Sequence, residues 1–147
     1  MTSRHDAEDR GRPARDVRVV TVDDHPIFLD VTRTLLEVTP GFEPVGEASS
    51  GEEALELVRR VDPDLVLLDV RMAGLDGIET ARSLRAEHDA TVIVLLSSGD
   101  IGALEPMARS CGATAFVRKQ DLDSRLLRGL WASHLTGSPA IAPGRAW

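Results

Sequence analysis

Short apolar runs alternate with segments of helical spacing along most of this chain, and this alternation limits its fold more than any other feature. Five runs have the length and residue content of strands: Val17–Val22, Phe42–Ala48, Asp64–Val70, Thr91–Leu96 and Ala115–Val117. Helical patterns follow them, at Pro26 to about Val38, Ser50–Val61, Ile78–Glu87, Ile101–Cys111 and Leu122–Leu135. Strands that alternate with helices predict an α/β fold with a five-stranded parallel sheet, doubly wound with helices on both faces.

Local residue choices place several of these boundaries. Pro26 suits the first position of a helix, in which Ile27, Val31, Leu35 and Val38 have helical spacing. Ser50, with Glu53 three residues later, predicts a helix cap. The run Asp64–Val70 is almost entirely apolar, as expected for a central strand covered on both faces. Gly74–Gly77 predicts a turn, and Gly112 predicts the end of a helix.

The chain ends differ from the middle in composition. Residues 1–16 are rich in Arg and Asp and poor in apolar residues, which predicts a disordered leader. Residues 136–147 are rich in Pro and Gly and predict a flexible tail. The 147 residues suit one core, so we expect a single domain over residues 17–135.

Composition argues against several functional classes. A net charge of −7 and an aromatic content of 3% do not favour direct binding of nucleic acid. No apolar run is long enough to span a membrane, and the N-terminus lacks the apolar core of a signal peptide. Cys111 is the single cysteine, which fits a reducing compartment and a buried thiol. We therefore expect a cytoplasmic protein.

Polar side chains cluster where the predicted strands end. The first strand ends at Asp23-Asp24, the third carries Asp69 near its end, Ser97 follows the fourth and Lys119 follows the fifth. Because ligands of open α/β sheets bind outside the carboxyl ends of the strands, we expect these groups to converge.

These residue types suit phosphoryl chemistry with a magnesium ion. Clustered carboxylates repel one another, and a divalent cation relieves that repulsion. Mg²⁺ prefers oxygen ligands and keeps several waters, so a few carboxylates and a phosphate oxygen suit it. A carboxylate can attack phosphorus, while a metal ion and the Lys119 ammonium neutralise the charge on the transferred group.

Taken singly, the same residues have simpler interpretations. An Asp-Asp pair after a strand is commonly a turn or a helix cap. Ser97-Ser98 could cap the following helix, and Lys119 could be a solvated surface charge. His25 could be a metal ligand, but the start of a helix is favoured because Mg²⁺ seldom binds nitrogen. Trp131 could belong to the core or to an interface.

Several motifs together resemble the receiver domains of two-component response regulators, over about residues 16–135. The matching segments are Asp23-Asp-His-Pro26, Pro63-Asp-Leu-Val-Leu-Leu-Asp69, Met72-Ala-Gly-Leu-Asp-Gly77, Ser97-Ser98 and Phe116-Val-Arg-Lys119. Asp23-Asp-His-Pro26 and Val45-Gly-Glu-Ala48 are most similar to the NarL/FixJ subfamily. The resemblance implies the flavodoxin-like (βα)5 receiver fold.

The resemblance also implies a role for each site residue. Asp69 would be the phosphoacceptor. The Mg²⁺ would be held by Asp69, by Asp24 directly, by Asp23 through a water and by the backbone carbonyl of Arg71. Ser97 would be the hydroxyl of the conformational switch, Phe116 its rotating aromatic and Lys119 the cation that binds phosphate.

Two residues depart from the family pattern. Ala73 and Gln120 stand where many members have proline. The loop after Asp69 would then be less rigid, and we expect a trans peptide bond after Lys119 because a non-proline cis bond is costly. Neither change removes a ligand.

The resemblance predicts a signalling domain rather than an enzyme. A sensor histidine kinase or phosphotransfer protein would phosphorylate Asp69, and a protein-interaction surface would then switch toward a downstream protein. A homodimer is compatible with this function. After Leu135 too few residues remain for a DNA-binding output module, so we expect a stand-alone receiver. An N-terminal fragment of a DNA-binding transcriptional regulator is an alternative.

Two other functional classes deserve comparison. A phosphohydrolase with an aspartate nucleophile usually has a second Asp two residues later, but this chain has Arg71 at that position. We expect the Arg71 side chain either to contact the acyl phosphate or to lie in solvent. A receiver-like scaffold that binds a partner without phosphorylation would not need the complete set of site residues.

Overall fold

The computed structural model describes residues 15–72, 76–99, 102, 105–136 and 145–146. The strands are β1 (Val17–Val22), β2 (Phe42–Ala48), β3 (Leu65–Asp69), β4 (Val92–Ser97), β5 (Ala115–Arg118) and β6 (Arg145–Ala146). The helices are α1 (Pro26–Val38), α2 (Gly51–Val61), α3 (Gly77–Glu87), α4 (Glu105–Ser110) and α5 (Ser124–Thr136). A 3₁₀ turn spans Lys119–Asp121.

Within the described residues the strands form one sheet in the order β2-β1-β3-β4-β5-β6. The first five strands pair in parallel, so the predicted five-stranded parallel sheet is confirmed. The short strand β6 pairs antiparallel with β5, joining Ala115 to Ala146 and Phe116 to Arg145. This sixth strand lies in the segment that the sequence predicts to be a tail.

The sheet separates two hydrophobic cores, as expected when successive side chains of a strand point to opposite faces. Val20, Val66 and Leu68 belong to the first core, which α2 and α3 cover. Val19 and Leu67 belong to the second, to which α1 and α5 contribute. Because helices cover both faces, the central strands are buried throughout, and the doubly wound arrangement is confirmed.

Side-chain caps define where two helices begin. Ser50 accepts a hydrogen bond from the Glu53 amide and starts α2, as predicted. Asp76 does the same for α3 by accepting from the Glu79 amide, so α3 begins at Gly77, one residue earlier than predicted.

The helix α1 has the predicted bounds, but its apolar residues are divided between two faces. Ile27, Val31 and Val38 are 78%, 58% and 67% exposed, although their spacing is that of a helix face. Thr32 and Leu36 are buried instead. The helix therefore packs on the sheet through the face that contains Thr32 and Leu36, and not through the face that contains Ile27, Val31 and Val38.

Some sequence predictions concern residues that the structure does not describe. They are most of the leader at 1–16, Ala73, the first half of the predicted turn at 74–77, Ile101 at the predicted start of α4 and most of the tail at 136–147. Of the leader, Arg15 is described, and its guanidinium pairs with the Asp64 carboxylate at 2.9 Å. None of the described helices is long and apolar enough to cross a membrane.

Candidate metal centre

The predicted carboxylates meet at the carboxyl end of the sheet. Asp23 follows β1 directly, and Asp69 is the last residue of β3, the strand that pairs with β1. Asp23 and Asp69 are buried, with 0% and 3% of their surface exposed, while Asp24 is half-buried. One oxygen from each carboxylate and one ring nitrogen of His25 all lie within 4.8 Å of one another.

His25 connects the start of α1 to this cluster. It is the residue before the helix, and its side chain makes no capping bond there. Its backbone amide donates to Asp23 Oδ1 at 2.8 Å. Its Nδ1 lies 2.9 Å from the same oxygen and 3.0 Å from Asp24 Oδ1. The ring is therefore turned toward the carboxylates, while 69% of the side chain is exposed.

Lys119 brings a positive charge to the cluster. Its Nζ lies 2.5 Å from Asp23 Oδ2 and 3.6 Å from Asp69 Oδ1. Its side chain is only 14% exposed, so it is directed into the site rather than into solvent. The Nζ also lies 4.4 Å from the centre of the Phe28 ring, which comes from the first turn of α1.

The surroundings of Asp69 disfavour its charged form. Burial and the neighbouring Asp23 raise the pKa of the Asp69 carboxyl to about 6, although Lys119 and a backbone hydrogen bond from Arg71 oppose this shift. Asp24 adds to the rise. The positive charge of Lys119 therefore does not fully offset burial and the repulsion among the carboxylates.

The donor set fits a hard divalent cation. Three carboxylates on two adjacent strand ends can supply oxygen ligands, and waters or a phosphate oxygen would complete the coordination of such an ion. Burial is the main reason for the raised pKa of Asp69, and a divalent charge would offset the further rise that Asp23 and Asp24 cause. The oxygen donors present are thus compatible with a hard divalent cation.

The predicted switch residues have partners of their own. The buried Ser97 hydroxyl donates to the Gly99 carbonyl at 2.6 Å and accepts from the Gly99 amide at 3.1 Å. The Phe116 side chain is 7% exposed and belongs to the first core, so its ring is already turned inward.

Arg71 lies on an open cavity of about 520 Å³ beside Asp24, which Met72, Arg82 and others also line.

Two further predictions concern side chains away from the site. Cys111 is buried and its thiol donates to the Ala108 carbonyl, which confirms the structural interpretation. Trp131 is half-buried against the second core and packs beside His134 at 5.3 Å between ring centres, so it belongs partly to the core.

Comparison with known proteins agrees with this geometry. The sequence profile of the family described as "Response regulator receiver domain" matches residues 19–130. The chain belongs to this family. The sequence motifs therefore predicted correctly that this chain is a receiver domain of two-component response regulators.

The relatives also support the NarL-like resemblance. The NarL protein of Mycobacterium tuberculosis (strain H37Rv) is 36% identical over 86% of this chain and 58% of its own length. The nitrate/nitrite response regulator NarP of Escherichia coli K12 is 34% identical over 81% of this chain and 55% of its own length. The chain thus spans little more than half the length of these relatives.

A solved structure confirms the receiver fold. The signal receiver domain of NarL from Mycobacterium tuberculosis superposes with a TM-score of 0.76 and 34% identity. The match covers 83% of this chain and 98% of that domain.

Sequence reasoning missed Phe28 as a neighbour of Lys119. The residue stands four positions after Asp24, in the first turn of the helix that follows the acidic pair. An aromatic residue at that place could have suggested a contact with a cation at the same sheet edge.

Proposed function

We propose that Asp69 accepts a phosphoryl group in the presence of Mg²⁺ and that Asp23 and Asp24 hold this ion together with Asp69. The main support is the cluster itself, in which three carboxylates from adjacent strand ends lie together and two of them, Asp23 and Asp69, pair with the ammonium group of Lys119. The backbone carbonyl of Arg71 completes the protein's ligands, as the family resemblance implies. The ion supplies positive charge next to the transferred group.

The carboxylate of Asp69 is the nucleophile. One of its oxygens forms a bond to phosphorus while the bond from phosphorus to the donor breaks, and the donor leaves with that electron pair. Lys119 neutralises charge on the phosphoryl oxygens, since its ammonium lies 3.6 Å from Asp69 Oδ1. Ser97 donates a hydrogen bond to the new phosphoryl group, for which its hydroxyl must leave the Gly99 carbonyl.

The phosphoryl donor is a sensor histidine kinase, a phosphotransfer protein or a small acyl phosphate. A protein donor must dock beside Asp69. The exposed apolar residues Ile27 and Val31 in the first half of α1 offer a surface for this contact, because the helix starts next to the acidic cluster. We further propose that the domain and its donor act in the cytoplasm.

Phosphorylation then shifts the domain between two conformations and changes the surface that a downstream protein binds. The Ser97 hydroxyl moves toward the phosphoryl group, and the Phe116 ring, which already faces inward, keeps that orientation in the phosphorylated domain. The domain acts as a phosphoacceptor in a relay rather than as a hydrolase, because Arg71 occupies the place of a second catalytic Asp.

Incubation with acetyl phosphate and Mg²⁺, followed by intact mass measurement, tests this proposal. We expect one phosphoryl group on the chain, none on Asp69→Ala and none when a chelator replaces Mg²⁺. Glu37→Gln, an exposed residue of α1, is the matched control and should be phosphorylated normally. No adduct on the parent chain would favour a phosphorylation-independent scaffold, and sustained turnover of unrelated phosphate esters would favour a hydrolase.

A further inference from the structure

The side chain of Phe28 lies against the ammonium group of Lys119. The Nζ is 4.4 Å from the centre of the ring, within the distance at which an aromatic face attracts a cation. Lys119 is 14% exposed. Because little water surrounds the ammonium, the attraction to the ring is stronger than it would be at an exposed site.

The other partners of this ammonium are carboxylates of the metal cluster. Nζ lies 2.5 Å from Asp23 Oδ2 and 3.6 Å from Asp69 Oδ1, so the charge sits nearer to Asp23 than to the phosphoacceptor. A bound divalent ion would neutralise the carboxylates and weaken their electrostatic attraction for Lys119. The ring of Phe28 is neutral and binds no metal, so its attraction for the ammonium persists.

The backbone around Phe28 keeps the ring in place. Pro26 occupies the start of α1, and the Phe28 amide donates to the His25 carbonyl at 3.1 Å. The ring itself is partly buried against the second core. Phe28 is thus fixed relative to the sheet edge, whereas Lys119 has a long side chain with several rotatable bonds.

We propose that Phe28 is a positioning residue that holds the Lys119 ammonium at the phosphoacceptor through a cation–π contact. This inference rests on the proposed phosphorylation of Asp69. It assigns a role in phosphoryl transfer to an aromatic side chain that has no ligand atom for a metal ion.

Fluorination of the ring separates this role from packing. Each added fluorine weakens the negative face of the ring while its size changes little. We would incorporate mono-, di- and trifluorophenylalanine at position 28 and measure the rate of phosphorylation by acetyl phosphate with Mg²⁺. We expect the rate to fall stepwise with each fluorine. Phe28→Leu should be about 3- to 30-fold slower than the parent chain, and Phe28→Trp should retain most of the rate.

Phe42 provides the matched control. It is 7% exposed and belongs to the same core, yet it lies on β2 rather than beside Lys119. The same fluorinated residues at position 42 should leave the rate unchanged. A stepwise fall at position 28 alone supports the proposal. Equal rates across the series at position 28, or equal falls at both positions, would overturn it.

A second measurement does not depend on the reaction. In the Mg²⁺-bound chain, the ε-CH₂ protons of Lys119 should show an upfield ring-current shift by NMR that Phe28→Leu removes. An unshifted resonance in the parent chain would also overturn the proposal. If the parent chain takes up no phosphoryl group but the ring-current shift is present, the proposed function fails while the contact stands as a structural one.

Discussion

At the scale of single residues, the acidic cluster is unfavourable for the folded chain in the absence of a cation. Asp69 is almost completely buried next to Asp23, and its pKa is raised to about 6. In an unfolded chain an aspartate has a pKa of about 3.9. Since the folded pKa is the higher one, protonation of Asp69 stabilises the fold. That contribution is complete below about pH 4 and is lost as the pH rises through 6.

The metal-free Asp69→Asn variant should therefore be more stable than the parent chain at neutral pH. We expect its advantage in the free energy of unfolding to reach about 3 kcal/mol at pH 8 and to be about 1 kcal/mol smaller at pH 5. Denaturant titrations in the presence of a chelator at several pH values measure this difference. The exposed variant Glu37→Gln should show no such dependence on pH. An advantage of Asp69→Asn that is the same at pH 5 and pH 8 would contradict the argument.

At the scale of secondary structure elements, the start of α3 is packed directly on the end of β3. A Cβ atom at Gly77 would lie 2.0 Å from the Asp69 carbonyl oxygen and 2.7 Å from the Val70 Cα. The Gly77 amide also donates to the Val70 carbonyl at 3.2 Å. Only glycine allows this approach, which sets the backbone that carries the phosphoacceptor.

Gly77→Ala should consequently affect both stability and phosphorylation. Because the clash is with backbone atoms, which cannot move without shifting β3 or α3, we expect a loss of about 2–3 kcal/mol in the free energy of unfolding. Phosphorylation by acetyl phosphate should fall as well, since Asp69 moves with its backbone. Chemical denaturation and the phosphorylation rate are the two measurements.

Gly129→Ala is the control for this substitution. Gly129 lies within α5, and apart from its chain neighbours and the backbone of its own helix, no atom of the described residues is within 4 Å of a Cβ added there. Alanine is the better helix former, so this variant should be more stable than the parent by about 0.5–1 kcal/mol. If Gly77→Ala were as stable as Gly129→Ala, the close approach of α3 to β3 would not limit the fold.

The comparison of elements also shows what the sequence could predict. Strands buried on both faces and helices with caps such as Ser50 have local patterns that do not depend on the rest of the chain. The buried face of α1 was not predictable, because Ile27 and Val31 mark one apolar stripe and Leu36 another, and packing decides between them. Strand β6 has only two residues and no such pattern.

The same distinction applies to the candidate site. The meeting of Asp23, Asp24 and Asp69 follows from the rule that parallel strands end at one edge of the sheet. The contact of Phe28 with Lys119 joins residues far apart in the chain and depends on how α1 packs against the sheet. Side-chain orientation of this kind is set by tertiary packing, so spacing alone did not predict it.

At the scale of the whole molecule, the acidic cluster would couple an ion bound there to global stability. The candidate ligands come from the ends of β1 and β3, and Lys119 comes from the end of β5, so the site joins three strands of the sheet. A cation that binds this arrangement cannot bind the unfolded chain in the same way. It therefore shifts the folding equilibrium toward the native state.

Mg²⁺ should raise the free energy of unfolding of the parent chain by about 2.7 kcal/mol when the free ion is at 100 times its dissociation constant. Asp24→Asn removes one ligand charge, so its denaturation midpoint should respond to Mg²⁺ only at higher concentrations. The measurement is the midpoint of chemical denaturation as a function of Mg²⁺, at constant ionic strength set with potassium chloride. Constant ionic strength matters because the chain has a net charge of −7, and any salt would reduce its general repulsion. Equal responses of the parent chain and Asp24→Asn would show that Mg²⁺ acts through this general repulsion rather than through the site.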